Sequence, residues 1–144
     1  GGLKFGSIEV AEQRFPLYFR RHEYRPNSGG DGKYQGGAGV DLELQVETEK
    51  ACHGNTAGDG ARHGAAGLLG GQDGAPHRYL MRVPGRRPKV LSTKEEGTNV
   101  PAGTIFEVHS AGGGGWGAPG DRDQNARDYD RKNGYVSGRS KVGS

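Results

Sequence analysis

Two groups of residues in this 144-residue chain have types and spacings that can do chemistry. Cys52 and His53 are adjacent, with His63 and His77 downstream, and thiolate and imidazole are the ligands zinc prefers. Zinc sites gather such residues in tight pairs, whereas His63 follows His53 by ten positions and His77 follows His63 by fourteen. Cys52, His53 and His63 are therefore weak metal candidates. As a thiolate and base, Cys52 and His53 fail on direction, since adjacent side chains point apart; a lone cysteine ordinarily behaves as a small buried hydrophobe.

The second group is the glycines, 29 in number. They cluster at Gly29-Gly30, Gly36-Gly37, Gly70-Gly71 and Gly112-Gly113-Gly114-Gly115. Runs of this kind can offer backbone N–H groups to an anion. A phosphate loop also needs Lys followed by Ser or Thr at a fixed distance, and no glycine run here leads into that pair. Gly58, Gly60 and Gly64 miss the dinucleotide spacing, with no strand before them. No catalytic or cofactor-binding residue is assigned.

What positions the glycines follows from composition. Glycine is a fifth of the chain, against a usual share of about 7%. It weakens helices and strands, so an ordered chain keeps it where backbones must approach each other closely. Leu, Ile, Val and Phe total 23 residues, below the roughly 20% that marks good core formers. Disorder would bring a large net charge, but 20 basic residues nearly balance 17 acidic ones, and Trp116, six Tyr and four Phe are interleaved with them. The expectation is an ordered chain whose small core is completed against a partner. Gly64, Gly67 and Gly70 recur every third residue, the period of a polyproline II turn. Packing is the predicted role of Gly29, Gly30, Gly36, Gly37, Gly64, Gly67, Gly70, Gly71, Gly112, Gly113, Gly114 and Gly115.

The pattern predicts a mainly β fold with little helix: a small sheet or barrel-like region, glycine-rich polyproline II-like segments and one short C-terminal helix. Residues 8–10 and 14–25 read as strand, with Pro16 marking an edge or a bulge. Val40, Leu42, Leu44 and Val46 alternate with Asp41, Glu43, Gln45 and Glu47, giving a half-buried strand with an acidic outer face. Residues 78–83 and 104–109 read as further strands, and 51–76 carries no recognisable element. Asp121 or Asp123 caps the helix and Gly134 stops it. One domain is expected over 1–137, then a tail over 138–144. The basic stretches 14–25 and 82–89 fit an acidic partner chain better than nucleic acid, because the acidic strand face repels phosphate and the net charge is only +3. A single cysteine, no apolar span and no leader predict a cytoplasmic protein without a membrane partner.

The blocks also fall in a familiar order. Ile8-Glu9-Val10-x-Glu12-x-Arg14-Phe15-Pro16, then Tyr24-Arg25-Pro26-x-Ser28-Gly29-Gly30-x-Gly32-x-Tyr34-x-Gly36-Gly37-x-Gly39-Val40, resembles the C-terminal region of the hydantoinase B/oxoprolinase family. Arg62 with Gly67-Leu68-x-Gly70-Gly71-x-x-Gly74, and Val100-Pro101-x-Gly103 followed by Gly112-Gly113-Gly114-Gly115-Trp116-Gly117-x-Pro119, are similar to its later blocks. Asn133-Gly134-Tyr135-Val136-Ser137 fits its ending. The family's usual Asn-Thr-Pro is replaced by Phe5-Gly6-Ser7.

Members are usually several times longer, and a free-standing piece of this kind resembles the small subunit of the acetophenone carboxylases. The resemblance implies an ATP-dependent, biotin-independent ketone carboxylation. ATP with Mg2+ or Mn2+, held on larger hydantoinase-A-like subunits, activates substrate and bicarbonate; an enolate then attacks the activated carboxyl group to give a β-keto acid. It implies a hydantoinase-B-like partner as well, and for this chain a structural, non-catalytic part. Cyclic-amide hydrolysis by a hydantoinase or oxoprolinase is the alternative, and a glycine-rich nucleic-acid-binding module a third.

Overall fold

The computed structural model describes residues 7–50 and 52–137; the expected tail lies outside them. The fold is mainly β. In chain order the elements are α1 (Ile8–Arg14), β1 (Leu17–Tyr24), β2 (Val40–Val46), β3 (Cys52–Ala57), β4 (Arg78–Arg82), β5 (Lys89–Leu91), β6 (Lys94–Val100), β7 (Ile105–His109), a 3₁₀ turn (Pro119–Asp121) and α2 (Gln124–Lys132). Five strands form one open sheet in the order β1-β2-β7-β4-β5, and β3 pairs with β6 in a second, two-stranded sheet. The small sheet expected from the sequence is present, without closing into a barrel, and β1 takes the edge position that Pro16 marks.

The first expected strand segment, residues 8–10, is instead the start of α1. Ile8 and Val10 favour a strand, but Ala11, Glu12, Gln13 and Arg14 are strong helix formers. Ile8 and Ala11 also lie three apart, on one helical face. The helix ends at Phe15, whose extended φ of −127° and ψ of 147° suit the position before proline. The Glu12 carboxylate then accepts the Phe19 N–H at 2.7 Å, so α1 satisfies a donor on an edge strand.

The described residues form two compact units. One takes in the described residues up to His22, from Leu42 to Gly58 and from Tyr79 to Val108; the other takes in those from Glu23 to Asp41, from Asp59 to Arg78 and from His109 onward. In the first, the buried apolar core is Val46, Met81, Leu91 and Val100, with Leu17, Tyr79, Val83 and Phe106 packed against it. Strand β3 falls in the region expected to lack structure. Its sequence, CHGNTA, is too polar to announce a strand, and its order comes from antiparallel pairing with β6, Cys52 opposite Val100 and Ala57 opposite Lys94. Gly54 allows the approach: a Cβ there would lie 3.2 Å from Val100 Cγ2 and 3.4 Å from Phe106 Cζ.

In the second unit, Asp123 caps α2, accepting from Asn125 N at 2.9 Å and Ala126 N at 3.3 Å. The helix closes at Asn133, and Gly134 follows at φ +74°, the left-handed turn that glycine makes without penalty. Arg122 fixes the helix from outside, pairing with the buried Asp130 at 2.7 Å and donating to the Lys33 carbonyl at 3.1 Å.

The acidic face of β2 is corrected at one position. Asp41 is 8% exposed, because His109 Nδ1 lies 2.6 Å from its Oδ1. A buried carboxylate is tolerated when it is paired and hydrogen-bonded. Strand alternation alone cannot show that pairing.

Candidate functional site

Three stretches of the second unit, 28–39, 64–75 and 110–117, run outside the helices and strands. Their backbone groups are satisfied by one another instead. Gly30 N donates to Gly113 O at 2.9 Å, and Gly113 N donates to Gly37 O at 2.9 Å. Leu68 N donates to Gly115 O, Gly115 N to Gln72 O and Gly112 N to Ala75 O. Gln72 N and Ala75 N donate to Asp31 O and Ser28 O, each at 2.7 Å. Each stretch thus bonds to the other two, which answers the backbone accounting that a non-helical, non-sheet interior must meet.

Such closeness leaves no room for side chains. A Cβ built at Gly29, Gly30, Gly36, Gly64, Gly67, Gly71, Gly112, Gly114 or Gly115 would overlap a backbone carbonyl: Gly36 O, Gln72 O, Gly113 O, Gly74 O, Gly71 O, Gly115 O, Ser28 O, Ala66 O and Asp31 O respectively. Gly39 and Gly74 are equally tight, against Ser110 O and Gly112 O. The pairs 36/39, 64/67, 71/74 and 112/115 keep the three-residue spacing of a polyproline II turn.

Three glycines in the expected packing set sit differently. A Cβ at Gly113 would come 3.0 Å from Gly37 N, and one at Gly37 would meet nothing within 4 Å. Gly70 departs from the expected run of three. Its φ is +91° and that of Leu69 is +51°, and Gly71 N donates to Leu68 O at 3.0 Å. Leu68–Gly71 is therefore a reverse turn with two left-handed central residues, not an extended segment.

Side chains brace the mesh. Arg25 donates to Pro76 O at 2.9 Å and to Ser110 O at 3.0 Å. Ser28, 1% exposed, donates to Arg25 O at 2.6 Å and accepts Gly39 N at 2.7 Å. Val40 N donates to Ser110 Oγ at 2.6 Å. Buried hydroxyls placed this way rigidify the backbone they join.

The candidate ligands are not brought together. Cys52 and His53 are exposed neighbours on β3, so their side chains leave opposite faces of the strand. His63 is exposed and His77 buried, both in the glycine-rich unit. Among the described residues no three His, Cys, Asp or Glu side chains gather in a way that could hold a metal ion. Sequence reasoning missed the Asp41–His109 pair; its signal was an acid and a histidine each on a strand, with nothing to reveal that the strands adjoin. It also missed Arg25 and Ser28 as braces, although both lie in the quoted Tyr24–Val40 block.

Packed backbone with braced polar contacts is a rigid frame. A family model described as hydantoinase B/oxoprolinase matches residues 1–119. The chain belongs to that family. Arabidopsis thaliana 5-oxoprolinase 1 is 34% identical over 110 residues, which are 76% of this chain and 8% of that protein. Caprolactamase subunit beta of Pseudomonas jessenii is 31% identical over 145 residues, 95% of this chain and 24% of that protein. The crystal structure of the ATP-dependent caprolactamase from the same organism shares the fold with a TM-score of 0.76 at 25% identity, over 92% of this chain and 23% of that one. A nucleotide-free acetone carboxylase structure gives a TM-score of 0.69 at 22% identity, over 94% and 22%, a likeness of fold. This hydantoinase-B-type chain thus spans a quarter or less of the length of these relatives.

Proposed function

We propose that this chain is the glycine-packed structural part of an ATP-dependent, hydantoinase-B-type enzyme complex that opens a cyclic amide. The observation that carries the structural role is the mesh, in which nine glycines of the expected set meet backbone carbonyls where a side chain would stand. Geometry of that kind holds a frame still; chemistry falls to larger partner chains. One is a hydantoinase-A-like chain holding ATP and Mg2+ or Mn2+, and another is hydantoinase-B-like. The cyclic-amide reading rests on the relatives' names: 5-oxoprolinase 1 at 34% and caprolactamase subunit beta at 31% identity. Ketone carboxylation of the acetophenone carboxylase type is the second reading, suggested by the resemblance to the small subunit of those enzymes. The fold does not separate the two, since caprolactamase and acetone carboxylase both share it. We assign the complex to the cytoplasm; no helix among the described residues is long and apolar enough to cross a membrane.

The test is purification of the chain with its native partners, followed by ADP release with and without each substrate. 5-Oxoproline, caprolactam or hydantoin should stimulate ADP release and yield the ring-opened acid. Bicarbonate-dependent formation of a β-keto acid from acetophenone would replace this reading with the second. ADP release indifferent to every one of these compounds would sink both.

A further inference from the structure

On the mesh, two isolated bridges converge on one residue. Trp116 is bridged to Tyr34 on one side and to Leu68 on the other, and bridge partners put their side chains on the same face. The rings of Tyr34 and Trp116 lie 5.5 Å apart. Leu69 follows at the tip of the 68–71 turn, a branched residue held at φ +51°, a conformation that bulky residues seldom keep. All four are apolar and open to solvent: Trp116 44%, Tyr34 61%, Leu68 62% and Leu69 73% exposed.

Single exposed apolar residues are ordinary. A contiguous set is the mark of an interaction surface, and Trp and Tyr on a prebuilt frame are the residue types that dominate binding energy. The frame is fixed here. Trp116 N donates to Tyr34 O and Tyr34 N to Trp116 O, each at 2.9 Å, while Leu68 N and Gly117 N bond across the other side. Lys33 stands at the rim, its Nζ 5.9 Å from the centre of the Tyr34 ring, and it has no acidic partner among the described residues.

We propose that the Tyr34–Leu68–Leu69–Trp116 face is the docking surface for the remainder of a hydantoinase-B-type chain, which presents an apolar surface with a carboxylate opposite Lys33. The occupant is argued from length and charge. The relatives carry three times or more additional polypeptide beside the matched region, this chain covering 24% of caprolactamase subunit beta and 8% of 5-oxoprolinase 1. The unpaired ammonium group calls for an acid across the interface. The inference rests on the hydantoinase-B-type assembly proposed above.

The experiment replaces Tyr34 by the photo-reactive p-benzoylphenylalanine in the full chain, in its native host, with Val90 of the other unit replaced likewise as a control. Cross-linked peptides are identified by mass spectrometry. Attachment from position 34, but not from position 90, to a hydantoinase-B-type polypeptide outside the region described here is the expected result. Attachment to a second copy of this chain, to the ATP-binding chain, or to nothing overturns it. In parallel, Trp116→Ala and Leu69→Asp should each reduce recovery of the partner by about tenfold or more, while the chain's own thermal midpoint moves little. Wild-type recovery with both variants also overturns the proposal. Substrate-stimulated ADP release by the wild-type complex is measured on the same preparation, so an error in the docking face is distinguishable from an error in the assigned reaction.

Discussion

In the unit that contains β3, β5 and β6, order comes from side chains: Val46, Met81, Leu91 and Val100 exclude water from one another. In the glycine-rich unit the equivalent contacts are between glycine α-carbons and the carbonyls of Ser28, Asp31, Gln72 and Gly113. The two respond to mutation in opposite senses. A side-chain core loses stability in proportion to what is removed and tolerates small deletions. A backbone mesh has nothing to remove and fails on the first atom added at a close contact.

The largest effect is expected at glycines that abut the carbonyls of another stretch. Gly112→Ala or Gly115→Ala drives a methyl group into a carbonyl that is itself bonded to another stretch, and should cost at least about 3 kcal/mol, seen as loss of soluble chain or a steep fall in thermal midpoint. Leu91→Ala, in the side-chain core, should cost about 2–4 kcal/mol by denaturant titration while leaving the chain folded. Asp123→Ala removes the N-cap of α2 and should cost about 1 kcal/mol, read as a small drop in the same titration. Gly37→Ala is the internal control. It belongs to a glycine pair in the mesh but meets open space, so its effect should stay within about 0.5 kcal/mol. A Gly37→Ala change as damaging as Gly112→Ala would erase the distinction between contact and composition.

Much of this contrast is legible in the residues, and the rest is hidden for physical reasons. The alternation of Val40 to Glu47 announces β2, Pro16 announces an edge, and Asp123 with Gly134 brackets α2, because each signal is local. Strands β3 and β6 are polar, CHGNTA and KEEGTNV, and become strands only by pairing across more than thirty residues of chain. The three-residue glycine period suggests closely packed backbone, and a Cβ at Gly64 or Gly67 would overlap a carbonyl. It cannot show that the chain reverses at Leu69 and Gly70, since a turn and an extended run both favour glycine. Asp41 looks like a solvated strand acid until His109 on β7 is known to lie against it. The exposed face around Trp116 is invisible in sequence for the same reason: Tyr34, Leu68 and Trp116 are far apart in the chain and meet only through the mesh.

The central claim is that the glycine stretches are a bonded interior and not a flexible tract. Residue-resolved amide hydrogen exchange on the full chain tests it most directly. The N–H groups of Gly30, Gly112, Gly113 and Gly115, each donated to a carbonyl of another stretch, should exchange as slowly as core amides of the β unit such as Val46. Exchange of those four glycines at the rate of an unstructured peptide, while Val46 stays protected, would contradict the account.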